Sequence, residues 1–258
     1  MLPILLSLVL FADQPAPSLN DFNGDWTTDL STLSKEPEPE RIVVKSKRFS
    51  RSKGAISVPA DGQFHSLGNA PFVDAVAVTI LDRRRVRELD RFRGKLIYSI
   101  TYAASVDGQS MRRMITDFGK PNGRAVSTVI DSARDGRHSP GEHLVSGDWR
   151  AVSIKKSQAA LIDTIRLRDG RYSLLGHDGY GYTAVIGGPP VSIRGDAETG
   201  RVSVNTQGDN TVIVSMSLDG KKTALQTLRL QPDRHTIKVS VHREADGVEK
   251  TYLLRRVK

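Results

Sequence analysis

The residues of this chain that could do chemistry are few and badly spaced for it. There are six histidines and no cysteine, which removes thiol catalysis, disulfides and cysteine-based zinc sites. His138 and His143, in the stretch HSPGEH, are the nearest approach to a metal pair, but no third ligand stands beside them. His235 and His242 lie an odd number of positions apart on one alternating segment, so they face opposite ways. Ser-x-x-Lys occurs at Ser50 to Lys53 and at Ser153 to Lys156. A lysine activates such a serine from the next turn of a helix, whereas both stretches read as strand or loop and lack companion motifs. Gly-x-Ser-x-Gly, His-Glu-x-x-His and the P-loop pattern are all missing. The glycine-rich run from Gly179 to Gly188 reads as a strand with Tyr180 and Tyr182 on one face. No catalytic residue, metal ligand or cofactor is therefore assigned, and the reading leans away from an enzyme.

Charge is the second chemical feature. The chain carries 38 basic and 29 acidic residues, a net charge of +9, which favours anionic polymers or membrane surfaces over acidic-seeking partners. Two clusters concentrate it, Lys45 to Lys53 and Asp82 to Arg93. In the second, alternation sets Arg83, Arg85, Arg87 and Arg91 on one face and Val86 on the other, with Arg84 and Glu88. The four arginines form a candidate patch for an anionic envelope polymer, since clustered cations release counterions on binding a polyanion. The competing reading is a solvated strand face that protects an edge from aggregation.

The elements that position these residues are strands. Ile237, Val239 and Val241 alternate with Lys238 and Ser240, and Val212, Val214, Met216 and Leu218 share one face. Asp169-Gly170, Asp219-Gly220 and similar pairs mark tight hairpins. No stretch has a long helical period with caps, and Asp29 to Lys35 offers at most one turn. The chain's only two tryptophans both occur as Gly-Asp-Trp, at Gly24 to Trp26 and Gly147 to Trp149. The Arg93 to Lys95 and Asp219 to Lys221 turns, and Gly123 with Gly247, recur at nearly the same offset. An internal repeat follows. The expected fold is all-β, two tandem antiparallel meander barrels or sandwiches of eight or nine strands with few short helices. The first is expected over residues 20–130 and the second over 144–258, joined by a polar linker at 131–143.

The segment from Met1 to Ser18 has a short apolar run followed by small residues and prolines. It resembles a secretory signal peptide over residues 1–16, although no basic residue precedes the run. The expected location is periplasmic or secreted, with no transmembrane segment in the mature chain, and export argues against nucleic acid as a partner.

The stretches SGDW and SLDGKKTALQTLRLQPDRHTIKVSVHREADGVEKTYLLRRV cover most of the second half. NGDWTTDLSTLSKEPEPE and FRGKLIYSITYAASVDGQSMRRMITD give a thinner version in the first. This pattern resembles secreted bacterial lipocalin-like domains, calycin-type β-barrels that open on a Gly-x-Trp strand. The resemblance implies that each indole plugs one barrel end beneath an arginine from the last strand. Trp149 is thereby matched with Arg255 or Arg256, and Trp26 with Arg124. It also implies a non-enzymatic binding protein holding a small apolar or amphipathic ligand in one or both barrels. The alternative is an envelope interaction module that uses its basic surface and has no cavity.

Overall fold

The structure is a computed structural model that describes residues 16–34, 39–51, 56–68, 73–139, 141–195, 200–245 and 247–258. The leader expected over residues 1–16 lies, apart from its last residue, outside the described residues. Among the described residues no helix is long and apolar enough to cross a membrane.

The protein is all-β, and its described residues build two antiparallel ten-stranded sheets that each curl into a nearly closed barrel. Ten consecutive strands make the first. They are β2 (Glu40–Lys45), β3 (Arg48–Arg51), β4 (Ile56–Pro59), β5 (Asp61–Ser66), β6 (Ala75–Asp82), β7 (Arg85–Phe92), β8 (Lys95–Ala104), β9 (Ser110–Asp117), β10 (Val126–Asp135) and β11 (Gly147–Lys156). Their order is β4-β3-β2-β11-β10-β9-β8-β7-β6-β5, which brings β4 back beside β5 and β6.

The second sheet combines β12 (Ile162–Arg168), β13 (Arg171–Gly176), β14 (Gly181–Val185), β15 (Val191–Ser192), β16 (Arg201–Thr206), β17 (Thr211–Leu218), β18 (Lys221–Leu230), β19 (Thr236–Arg243) and β20 (Glu249–Arg256) with β1 (Gly24–Asp29). The order is β14-β13-β12-β1-β20-β19-β18-β17-β16-β15, the same scheme as in the first sheet. Bridges between Gly181 and Arg194 and between Ile186 and Val204 span its seam.

Alternation supplies each barrel with one apolar face. Ile42, Phe49, Val78, Val86, Tyr102 and Trp149 are buried together in the first, and Trp26, Ile165, Tyr172, Val214, Leu228 and Val239 in the second. Hairpins follow the expected chemistry. Asp219 and Gly220 both take positive φ, 48° and 76°, as a two-residue turn between twisted strands requires. The stretch after Asp29 forms a single 3-10 turn at Leu30–Thr32.

The pairing departs from the expected division in one respect that reorganises the molecule. β1 leaves the first half of the chain to sit between β12 and β20, while β11 closes the first sheet between β10 and β2. The segment expected as a linker at 131–143 begins inside β10, which runs to Asp135. A first barrel at 20–130 and a second at 144–258 therefore do not match the sheets, which are 40–156 and 162–256 with Gly24–Asp29 added. The repeat marks two copies of one strand. It carries no information on which sheet each copy completes.

A groove at the mouth of the first barrel as candidate functional site

Each tryptophan strand brings its indole under an arginine. Trp26 pairs with Arg256 and Trp149 with Arg134 across their ladders, and the guanidinium carbons lie 4.4 Å and 4.2 Å from the ring centroids. These are cation–π contacts. Arg134 also donates to the carbonyls of Gly108, Leu144 and Ser146, and Arg256 to those of Asp21, Asn23 and Arg234. Both indoles donate back to a carbonyl four residues earlier, Phe22 at 2.7 Å and Val145 at 2.8 Å. The glycine of the motif has a steric reason. A Cβ on Gly24 would stand 2.5 Å from Arg256 Nη1, and one on Gly147 1.9 Å from Arg134 Nη1.

The barrel-end pairing implied by the resemblance thus exists with different arginines. Arg124 is exposed in the turn before β10, and Arg255 faces outward to Asp29 and Thr236. Arg124 fails because the last strand of Trp26's sheet is β20, and β10 serves Trp149.

Taking the two Trp–Arg pairs as the common origin, the registers match the barrels residue by residue. Glu40 opposite Trp149 corresponds to Asp163 opposite Trp26. Arg51 corresponds to Leu174, Arg113 to Val239, Tyr102 to Leu228, Glu88 to Val214 and Asp90 to Met216. The β7–β8 and β17–β18 ladders even shift register at the same point, after Asp90 and after Met216. The first barrel therefore carries five polar side chains where the second, with the same fold, has aliphatic residues or methionine.

Four of them are joined by hydrogen bonds and ion pairs, and Arg113 stands opposite Tyr102 across the β8–β9 ladder. Arg51 grips both oxygens of Glu88 at 2.8–3.0 Å and reaches Asp90 at 3.5 Å. Tyr102 donates to Glu88 at 2.7 Å. Glu88 and Asp90 are buried. Burial first, and then the neighbouring Glu88 carboxylate, push Asp90 up to about 8. Burial works against the charge on Arg51, but the facing Tyr102, Glu88 and Asp90 outweigh it and raise its pKa. Arg113 continues the layer towards the barrel mouth, where its Nη1 pairs with Glu40. Its Nε is buried without an acceptor among the described residues.

That mouth opens into a groove of about 830 Å³. Glu40, Arg113, Ser132 and Trp149 line it from the first barrel, and β11 flanks it from Trp149 to Lys155. Leu30, Ser31, Leu33 and Ser34 line it from the segment after β1, which is anchored along β20 by a bond from Ser34 N to Thr251 O of 2.8 Å. Arg243 and Lys250 add two cations from the second sheet. Among the described residues the wall carries five cationic side chains and one carboxylate, Glu40, with Arg150 also paired to Asp135 at 2.8 Å, beside the apolar side chains of Leu30, Leu33, Trp149, Val152 and Ile154. Val152, at the irregularity in the β10–β11 ladder, is 61% exposed. A groove of this make-up suits a molecule with an apolar body and an anionic head.

The second barrel is polar inside in another way. Tyr172 and Tyr182 are buried with their rings 6.0 Å apart, and neither hydroxyl has a hydrogen-bond partner among the described residues. Burial, then Asp178, raise Asp163 to about 6.

The remaining candidates lie elsewhere. Arg83, Arg85, Arg87 and Arg91 are all exposed, but Arg83 and Arg84 occupy the β6–β7 turn, so the strand alternation starts only at Arg85. Arg85 is tied to Asp82 at 2.7 Å, and Arg91 stacks 3.6 Å over Phe64. His143 accepts from Val145 N and bonds Asp82 O, and His242 meets Glu249. Ser153 and Lys156 sit on one strand, not on successive turns of a helix, and Lys53 lies outside the described residues. No protein-family model matches the chain, and no curated protein does.

Sequence reasoning missed the interior layer. Its signal was present, because Glu88 and Asp90 share the face of Val86, which alternation had already turned to the core.

Proposed function

We propose that this is a non-enzymatic, exported binding protein that takes one amphipathic molecule with an anionic head into the groove at the mouth of the first barrel. The observation that carries the reading is the groove wall, in which, among the described residues, five cations and one carboxylate adjoin apolar side chains that include Trp149. The ligand is held beside the first barrel's mouth, with the second barrel supplying Arg243 and Lys250 to the rim. The resemblance to lipocalin-like barrels supports a binding role in the same direction. It is an associational support, since one fold hosts many functions.

Trp149 lines the groove while Trp26 is sealed in the other barrel, so tryptophan fluorescence tests the reading directly. In a Trp26→Phe protein, dodecanoate below its micellar range should produce a saturable change in emission. The Trp149→Phe protein should show none. Absence of a saturable change in both the wild type and the Trp26→Phe protein would overturn the proposal.

A further inference from the structure

Building on that reading, we propose that Arg113 is the head-group receptor, that Glu40 occupies it in the free protein, and that the ligand is a monoanionic amphiphile whose carboxylate or phosphate displaces Glu40.

Three observations converge on Arg113. It lines the groove, it lies on the interior face of β9, and the fold does not demand it, because the matching position in the second barrel is Val239. Its pairing is also incomplete. Glu40 engages Nη1, leaving the buried Nε without an acceptor among the described residues. An unsatisfied buried donor is costly, and an arginine presents Nε and a terminal nitrogen as a fork that fits one carboxylate with two parallel bonds. An incoming head group can take the Nε–Nη2 edge, which Glu40 on Nη1 leaves unused, and repulsion between two anions on one guanidinium then drives Glu40 off. Glu40 is suited to leave, since its side chain is 26% exposed and stands where β2 begins.

Exchange of one anion for another keeps the charge of the layer behind unchanged. Tyr102, opposite Arg113 on β8, remains bound to Glu88, and Glu88 to Arg51. An uncharged or cationic head gains nothing from this exchange, so the site selects by charge.

The test compares dodecanoate, dodecanol and dodecyltrimethylammonium on the Trp26→Phe protein and on its Arg113→Met and Glu40→Gln derivatives, read by Trp149 emission. Arg113→Met should weaken dodecanoate by roughly tenfold or more, the scale of a lost charge-assisted hydrogen bond. Glu40→Gln should tighten dodecanoate by roughly threefold or more, as the competing anion is gone. Dodecanol binding should be unchanged in both, which also shows that the variants are folded. Dodecanoate binding that exceeds the other two probes but is indifferent to Arg113→Met overturns the head-group assignment and leaves the groove reading standing, whereas equal affinity for all three probes overturns the anionic head in both. Failure of every probe to bind the unmodified Trp26→Phe protein overturns both.

Discussion

The guanidinium of Arg256 covers the indole of Trp26, so a residue of β20 locks in place a strand that precedes it by nearly the whole chain. The equivalent lock on Trp149 is local, because Arg134 belongs to the neighbouring strand in sequence. One barrel is therefore contiguous and the other is not.

This asymmetry predicts different behaviour of fragments. Residues 40–156 should fold alone with a cooperative transition, since all ten strands of their sheet are present. Residues 157–258 should not, until a peptide of residues 18–34 is added. That fragment contains no tryptophan, so a blue shift of Trp26 emission in the peptide reports docking. A stable 157–258 fragment that ignores the peptide would show that β1 is dispensable.

Two buried tyrosine hydroxyls should respond in opposite ways. Tyr102→Phe removes the donor to the buried Glu88 carboxylate and should cost about 1–3 kcal/mol in denaturant unfolding. Tyr172→Phe removes a hydroxyl with no partner among the described residues and should be near neutral or slightly stabilising. A comparable loss from both would mean that the Tyr102–Glu88 bond contributes nothing particular.

The interior carboxylates predict a pH dependence. Asp90 is raised to about 8 by burial and by Glu88, so between about pH 4 and 8 the folded protein holds a proton that the unfolded chain has lost. Its stabilising contribution is complete below that window and is lost as pH rises through it, by up to about 1.4 kcal/mol per pH unit. Asp90→Asn keeps the neutral form at every pH. The variant should therefore gain on the wild type from pH 4 to 8 and stay ahead by a constant margin above. A difference independent of pH would contradict a protonated Asp90.

Gly147→Ala should destabilise the first barrel by about 3 kcal/mol, because its methyl would meet Arg134 Nη1 at 1.9 Å. Gly123→Ala is the control. Gly123 also has positive φ but nothing within 4 Å, so only backbone strain of about 1 kcal/mol applies. Equal midpoint shifts would show that the close approach of the arginine is not what the motif protects.

Strand identity was legible in the sequence wherever one face is apolar. The runs containing Val212 and Ile237 became β17 and β19 in the expected phase, and the Asp-Gly pairs became turns. The architecture of two barrels followed from Gly-Asp-Trp and its repeat. Which barrel each copy completes was not legible, since β1 and β11 both open on Gly-Asp-Trp and nothing local to either strand specifies its long-range partners. The site was hidden for a related reason. Alternation assigns Glu88 and Asp90 to the inner face, but a buried carboxylate is credible only beside its partner, and Arg51 arrives from a strand separated by three hairpins. The groove joins side chains from β2, β9, β11 and β20, which no local pattern could have gathered.

The placement of β1 also sets a timetable. A chain made from its N-terminus at 5–20 residues per second completes β11 and can close the first barrel while the rest is still unmade. Trp26 must wait for β12 and then for β20, on the order of ten seconds or longer at that pace. During this interval the strand most needed by the second barrel is tethered to a finished neighbour, with its indole unburied and its hydrogen-bonding edges open. The protein thus emerges as a folded body with a sticky leading arm, and its vulnerability to aggregation or to cleavage ahead of Glu40 is concentrated in that delay.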